Sequence, residues 1–89
     1  MSFYVVNHKV KDFNNWKKVY DEFESTRNEF GLKEHYAFQA IDDQNHVLVV
    51  GEGKLDAITK FLNSNELKQG MENAGVSSRP EVFIGEDRK

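Results

Sequence analysis

Residues Lys33–Gly53, KEHYAFQAIDDQNHVLVVGEG, decide how this chain folds. Two runs rich in β-branched and aromatic residues, Lys33–Ile41 and His46–Gly53, flank Asp42-Asp43-Gln44-Asn45, four polar residues that turn easily. The pattern predicts an antiparallel hairpin. With Ile41 opposite His46, Gln39 meets Leu48, Ala37 meets Val50 and His35 meets Glu52. Tyr36, Phe38, Val47 and Val49 then occupy the other face. Both faces are largely apolar, whereas a sheet with one wet side alternates more cleanly. The hairpin therefore predicts a sheet that is covered front and back.

On the N-terminal side, Phe3–Val10 has the composition and length of a strand. Asp12 suits an N-cap, because its carboxylate can accept a backbone N–H left open in the first helical turn. Phe13, Trp16, Tyr20, Phe23, Arg27 and Phe30 then recur at spacings of three and four, which predicts one amphipathic helix stopped by Gly31. On the C-terminal side a second helical region begins near Leu55 and carries Ile58, Phe61 and Leu62. Asn63 or Ser64 re-caps it into a stretch with Leu67, Met71 and Ala74 on one side, ended by Gly75. Gly70 inside that stretch costs about 1 kcal/mol relative to alanine and points to a tight packing contact. Glu81–Ile84 reads as the last strand, and Pro80, lacking an N–H, suits an edge.

The order β-α-β-β-α-β is the ferredoxin-like α+β pattern: an antiparallel four-stranded sheet in the order 4-1-3-2, with two helices on one face. Nothing in the sequence marks a boundary, so residues 1–89 are expected to form one domain. The helix-free face is apolar and too large to leave to water. A homodimer packed sheet to sheet is expected.

Composition narrows the function classes. Hydrophobic residues make up 38% and aromatic residues 12% of the 89, enough for a core. A chain this short buries only about 60–65% of the surface it exposes when unfolded, so it gains from a partner. With no cysteine, disulfides, thiolate nucleophiles and Cys-based metal sites are excluded. The net charge of −3 argues against nucleic acid and anionic membranes. Val47–Val50, the longest apolar run, is far too short to span a bilayer, and the first residues do not read as a signal peptide. A reduced, cytoplasmic location is expected. The RNA-recognition modules that share this topology stack bases on basic and aromatic residues, which Val47–Glu52 lacks. Lys9, Lys11, Lys17 and Lys18 are followed by Asp21, Glu22 and Glu24 and read as a solvated face. Gly51-x-Gly53 lacks the rest of a phosphate loop.

Three segments carry a resemblance. His8-x-Val10-x-Asp12-Phe13-x-x-Trp16, the turn Asp42–Asn45, and Phe61-Leu62-x-Ser64-x-Glu66-Leu67-Lys68-x-x-Met71-x-x-Ala74-Gly75-Val76 resemble small proteins of the dimeric α+β barrel superfamily. These are related to the antibiotic biosynthesis monooxygenases and to look-alikes labelled as cyclases. The resemblance covers almost the whole chain and rests on capping, turn and packing positions. It implies a homodimer and a pocket between helix and sheet for a small apolar or aromatic molecule. If the chain is an enzyme, it implies cofactor-independent oxygenation or a cyclase/isomerase-type rearrangement, with electrons supplied by the substrate as a phenolate or enolate. Haem-degrading members carry an Asn on the first strand, a Trp on the second helix and a His further along it. Here the three positions are Asn7, Phe61 and Met71, so the resemblance does not extend to haem chemistry.

Candidate site residues follow from type and expected position. The end of the first strand lies beside the start of the third, so His8, His46 and Trp16 share one end, and His35 and Glu52 the other. Three histidines therefore cannot meet on one metal, and no metal or cofactor is expected. His8 and His35 are the candidate proton acceptors. Asn7, Trp16 and Tyr20 are candidate donors to a ligand anion. The resemblance, through the Trp and His positions of the haem-degrading members, implies Phe61 and Met71 as the rest of the ligand-binding set. Two alternatives stand beside this. His35 opposite Glu52 is more simply an ordinary cross-strand pair, and an aromatic stripe of this kind is more often a closed core than a ligand cage. In that case the chain is a non-catalytic binding or interaction module. An open cavity containing Asn7, His8, Trp16 or Tyr20 favours the first reading, and a filled core the second.

Overall fold

A computed structural model of Met1–Lys89 shows β1 (Ser2–Lys9), α1 (Phe13–Glu22), α2 (Glu24–Glu29), β2 (Lys33–Gln39), β3 (His46–Gly53), α3 (Leu55–Leu62), α4 (Asn65–Ala74) and β4 (Glu81–Gly85). The strands form one antiparallel sheet in the order β2-β3-β1-β4. This is the ferredoxin-like 4-1-3-2 arrangement with the helices on one side.

Side-chain alternation divides the sheet. Tyr4, Val6 and His8 of β1 stand beside Gly51, Val49 and Val47 of β3, and all six are buried beneath the helices. The alternate residues, Phe3, Val5 and Asn7 against Glu52, Val50 and Leu48, face outward. Trp16, Ile58, Phe61 and Ala74 close the core from the helical side.

Capping agrees with the sequence. The Asp12 carboxylate accepts the Asn15 N–H at 3.3 Å and the Ser64 hydroxyl accepts the Leu67 N–H at 3.1 Å. Gly31 and Gly75 adopt φ of +80° and +73°, left-handed conformations that end their helices. Gly70 is the predicted close contact: a Cβ there would lie 2.7 Å from Phe23 Cε1.

Two expectations require correction. The stripe from Phe13 to Phe30 is not one helix. It breaks at Phe23, which ends α1 with φ −81° and ψ −2° and precedes α2. Phe23 is also the ring that packs on Gly70 of α4.

The hairpin register is also one residue from the expected one. Gln39 pairs with Val47, Phe38 with Leu48, Ala37 with Val49 and Tyr36 with Val50. The Asp43 carboxylate accepts the Asn45 N–H at 2.9 Å, and Ala40 N–H bonds to the His46 carbonyl at 2.9 Å. Ile41 is thereby drawn into the turn and exposed. A one-residue slip exchanges faces. Tyr36 and Phe38 therefore share the outer face with Leu48 and Val50, not with Val47 and Val49.

The outer face carries no helix. Phe83, Tyr36 and Phe38 stand 68%, 58% and 51% exposed on it, a patch that invites cover. No helix is long and apolar enough to cross a membrane.

Adjacent valines test the assignment of faces. Val49→Lys should abolish cooperative unfolding or cost more than about 3 kcal/mol, because it buries an unpaired charge. Val50→Lys should keep the far-ultraviolet circular dichroism of the folded subunit.

Candidate functional site

A cavity of about 70 Å³ lies between the sheet and the helices. A water needs roughly 10–15 Å³ by the same kind of measure, so the space admits several waters or one small organic molecule. It is far below the roughly 300 Å³ at which drug-sized pockets begin. Thirteen of its seventeen lining residues are hydrophobic; the polar exceptions lie toward its two ends.

One end is His8. Alternation along β1 turns it inward, 6% exposed, with its ring edge-on to Trp16 at 5.9 Å between centroids. Neither Nδ1 nor Nε2 has a hydrogen-bond partner. A buried imidazole in that state is costly unless something in the cavity completes it. Burial, reinforced by the nearby charge of His46, lowers the His8 pKa to about 4. The ring is therefore neutral near pH 7, with an N–H on one nitrogen and a lone pair on the other, neither used.

Trp16 carries the wall onward. Its indole stacks on Tyr20 at 5.0 Å, as side chains one helical turn apart allow. Phe61 and Met71 line the same space from α3 and α4.

The far end is a polar cluster. The Tyr4 and Tyr20 hydroxyls both donate to the Glu34 carboxylate, Tyr20 to Oε1 at 2.9 Å and Tyr4 to Oε2. The Arg27 guanidinium lies 4.2 Å from the centre of the Tyr20 ring, with Nε 4.0 Å from Glu34 Oε1 and no hydrogen bond of its own. Burial, and then the negative charge of Glu34, push both tyrosine pKa values well up. The phenols stay protonated and serve as donors.

Two local devices bring Glu34 there. β2 shifts register between Glu34 and Tyr36, a bulge at His35 that places Glu34 beside Gly51 on the helical side. Gly51 lies between Tyr4 and Glu34, and a Cβ on it would overlap both the Tyr4 hydroxyl and Glu34 Oε2.

The expected site residues thus separate. His8, Trp16, Tyr20, Phe61 and Met71 converge on the cavity. Asn7 does not: it faces outward, and its side-chain oxygen pairs with His46 Nε2. His35 also lies away from the cavity, where the bulge brings its Nε2 to 2.6 Å from Glu52 Oε1 despite the changed register. Tyr4, Arg27 and Glu34 were not anticipated. Arg27 carried a signal, a lone charge on an apolar stripe; Glu34 needed the bulge, which leaves no mark in the sequence. No three metal-ligating side chains come together.

No family model matches the chain, and no curated protein matches it by sequence. Solved structures do match. A provisionally named antibiotic biosynthesis monooxygenase from Nitrosomonas europaea superposes with a TM-score of 0.76 at 13% identity, over 100% of both chains. Another from Caulobacter crescentus gives 0.78 at 14%, covering 99% of this chain and 90% of that one. SnoaB, a cofactor-independent oxygenase from Streptomyces nogalater, gives 0.73 at 14%, covering 99% and 93%. The chain has the fold of the antibiotic biosynthesis monooxygenase-like proteins. At these identities the likeness establishes the fold and no chemistry.

Two measurements test the site. The unfolded chain protonates His8 below its ordinary pKa of 6.5, while the folded chain resists until about 4. Stability should therefore fall as pH drops through that window, by on the order of 3 kcal/mol at most. Urea titrations across this range should show the slope, and His8→Phe should flatten it. Gly51→Ala should cost about 1–3 kcal/mol by forcing Tyr4 and Glu34 apart.

Proposed function

We propose that the chain binds a small, mostly apolar or aromatic molecule in this cavity. There it carries out a cofactor-independent oxygenation or a cyclase/isomerase-type rearrangement, with His8 as proton acceptor. One observation carries the reading: His8 lines the cavity, almost wholly buried, with both ring nitrogens unpartnered. A side chain there for packing alone would be cheaper as Phe or Leu. In this reaction His8 takes a proton from a C–H or O–H of the ligand at its own end of the cavity. The imidazolium so formed, its pKa raised by the anion beside it, stays in place so that the cavity gains no net charge. The resulting anion forms a C–O bond to dioxygen. The peroxide takes the proton back from His8 and breaks its O–O bond, releasing water as the carbon is oxidised to a carbonyl. In the rearrangement the proton returns from His8 to another atom of the ligand. Trp16 and Tyr20 hold the ring, and the apolar wall excludes water. The open cavity, lined by His8, Trp16 and Tyr20, favours this reading over a closed-core interaction module.

A second copy covers the outer face in this reading and makes the homodimeric barrel. The exposure of Phe83, Tyr36 and Phe38 supports it.

The test is oxygen uptake, or product formation under argon, across a panel of single-ring phenols and enolisable ketones, with native mass spectrometry for subunit number and retained ligand. His8→Gln should lower turnover by about 100-fold or more, the scale of a lost general base, while leaving the dimer intact. Unchanged turnover in His8→Gln would remove His8 from the chemistry.

A further inference from the structure

The cluster at the far end of the cavity has an unusual division of labour. Each oxygen of the Glu34 carboxylate accepts a hydrogen bond from one phenol, so neither needs one from the arginine. Arg27, 6% exposed, consequently keeps a buried Nε–H with no acceptor. The two charges are close enough to cancel at a distance, at 4.0 Å, yet no hydrogen bond joins them. The cavity therefore ends in a positively charged donor whose charge is already balanced. The hydroxyl oxygens of Tyr4 and Tyr20, their protons committed to Glu34, can still accept.

We propose that the Arg27–Glu34 pair selects the charge of the ligand. This end of the cavity takes a neutral oxygen function, such as a phenol, an enol or a ketone, and rejects a carboxylate. The inference rests on the ligand-binding reading above and adds the substrate class to it. A neutral oxygen completes Arg27 Nε–H, and a ligand hydroxyl can donate to a tyrosine oxygen. A carboxylate would accept the same N–H but leave the cluster with two negative charges against one positive. Glu34 is thus the discriminating residue, acting against the wrong ligand instead of in favour of the right one.

The placement of Glu34 supports this. A carboxylate serving only to pair with Arg27 would hydrogen-bond it. This one is brought inward by a bulge, passes over a glycine and is held by two tyrosines at a distance from the guanidinium.

Benzamide and benzoate have nearly the same shape and differ in charge, and phenol is a smaller neutral ring. Trp16, the sole tryptophan, lines the cavity, so its indole N–H resonance reports occupancy. At neutral pH the wild-type dimer or monomer, whichever the preparation yields, should bind benzamide and phenol at least tenfold more tightly than benzoate. Glu34→Gln should move the benzoate-to-benzamide ratio at least tenfold toward benzoate. Equal wild-type binding of benzamide and benzoate overturns the proposal, as does a folded Glu34→Gln protein with an unchanged ratio. Should that variant not fold, the wild-type comparison decides alone. If none of the three rings shifts Trp16 at millimolar concentration, the ligand-binding reading itself fails and takes this one with it.

Discussion

A carboxylate beneath a layer of helices must be supplied with partners, and the arrangement that does this for Glu34 shapes half of the interior. Two phenols are required, from β1 and α1, so the sheet and the first helix are tied at one point. Gly51 must lack a side chain for Tyr4 to reach across β3. Arg27 must lie near enough to balance the charge, and it does so from α2, over the face of the Tyr20 ring. Removing any member leaves a buried polar group exposed to the full cost of desolvation. Glu34, Tyr4, Tyr20 and Arg27 therefore stand or fall together, with Gly51 leaving them the room, and with them the wall of the cavity.

The opposite end is under-satisfied. His8 is as deeply buried as Arg27 but has no partner for either nitrogen, and its neighbours are aromatic. Natural interiors rarely leave both nitrogens of an imidazole idle. The cavity thus has an open polar group at each end, the Arg27 Nε–H beside a hydrogen-bonded carboxylate and the His8 ring among aromatic side chains. The weakly conforming wall between them includes Met71, whose flexible thioether adapts to shapes that a branched side chain would refuse.

Legibility in the sequence followed periodicity. Strand alternation on β1 and β3, the caps at Asp12 and Ser64 and the stops at Gly31 and Gly75 were all readable, because each depends on neighbours within a few residues. Trp16 and Tyr20 were placed together by helical spacing, and Phe61 and Met71 by the family resemblance. What failed depended on a single residue of offset. The Asp43 side chain lengthened the hairpin turn and moved Tyr36 and Phe38 to the outer face. Asn7 and His8, adjacent in the chain, necessarily point to opposite sides, and only the side the helices occupy says which one meets the cavity.

The amino-acid order alone determined the βαββαβ succession, the apolar character of both sheet faces and the aromatic lining of the first helix, since these are set by composition and short-range spacing. The tertiary structure decided that His8 and not Asn7 looks inward, that a bulge at His35 delivers Glu34 to two tyrosines, and that Arg27 lies beside it without bonding to it. Those outcomes depend on which strand register and which helix packing win over the whole molecule, a competition among contacts dozens of residues apart that no local pattern records.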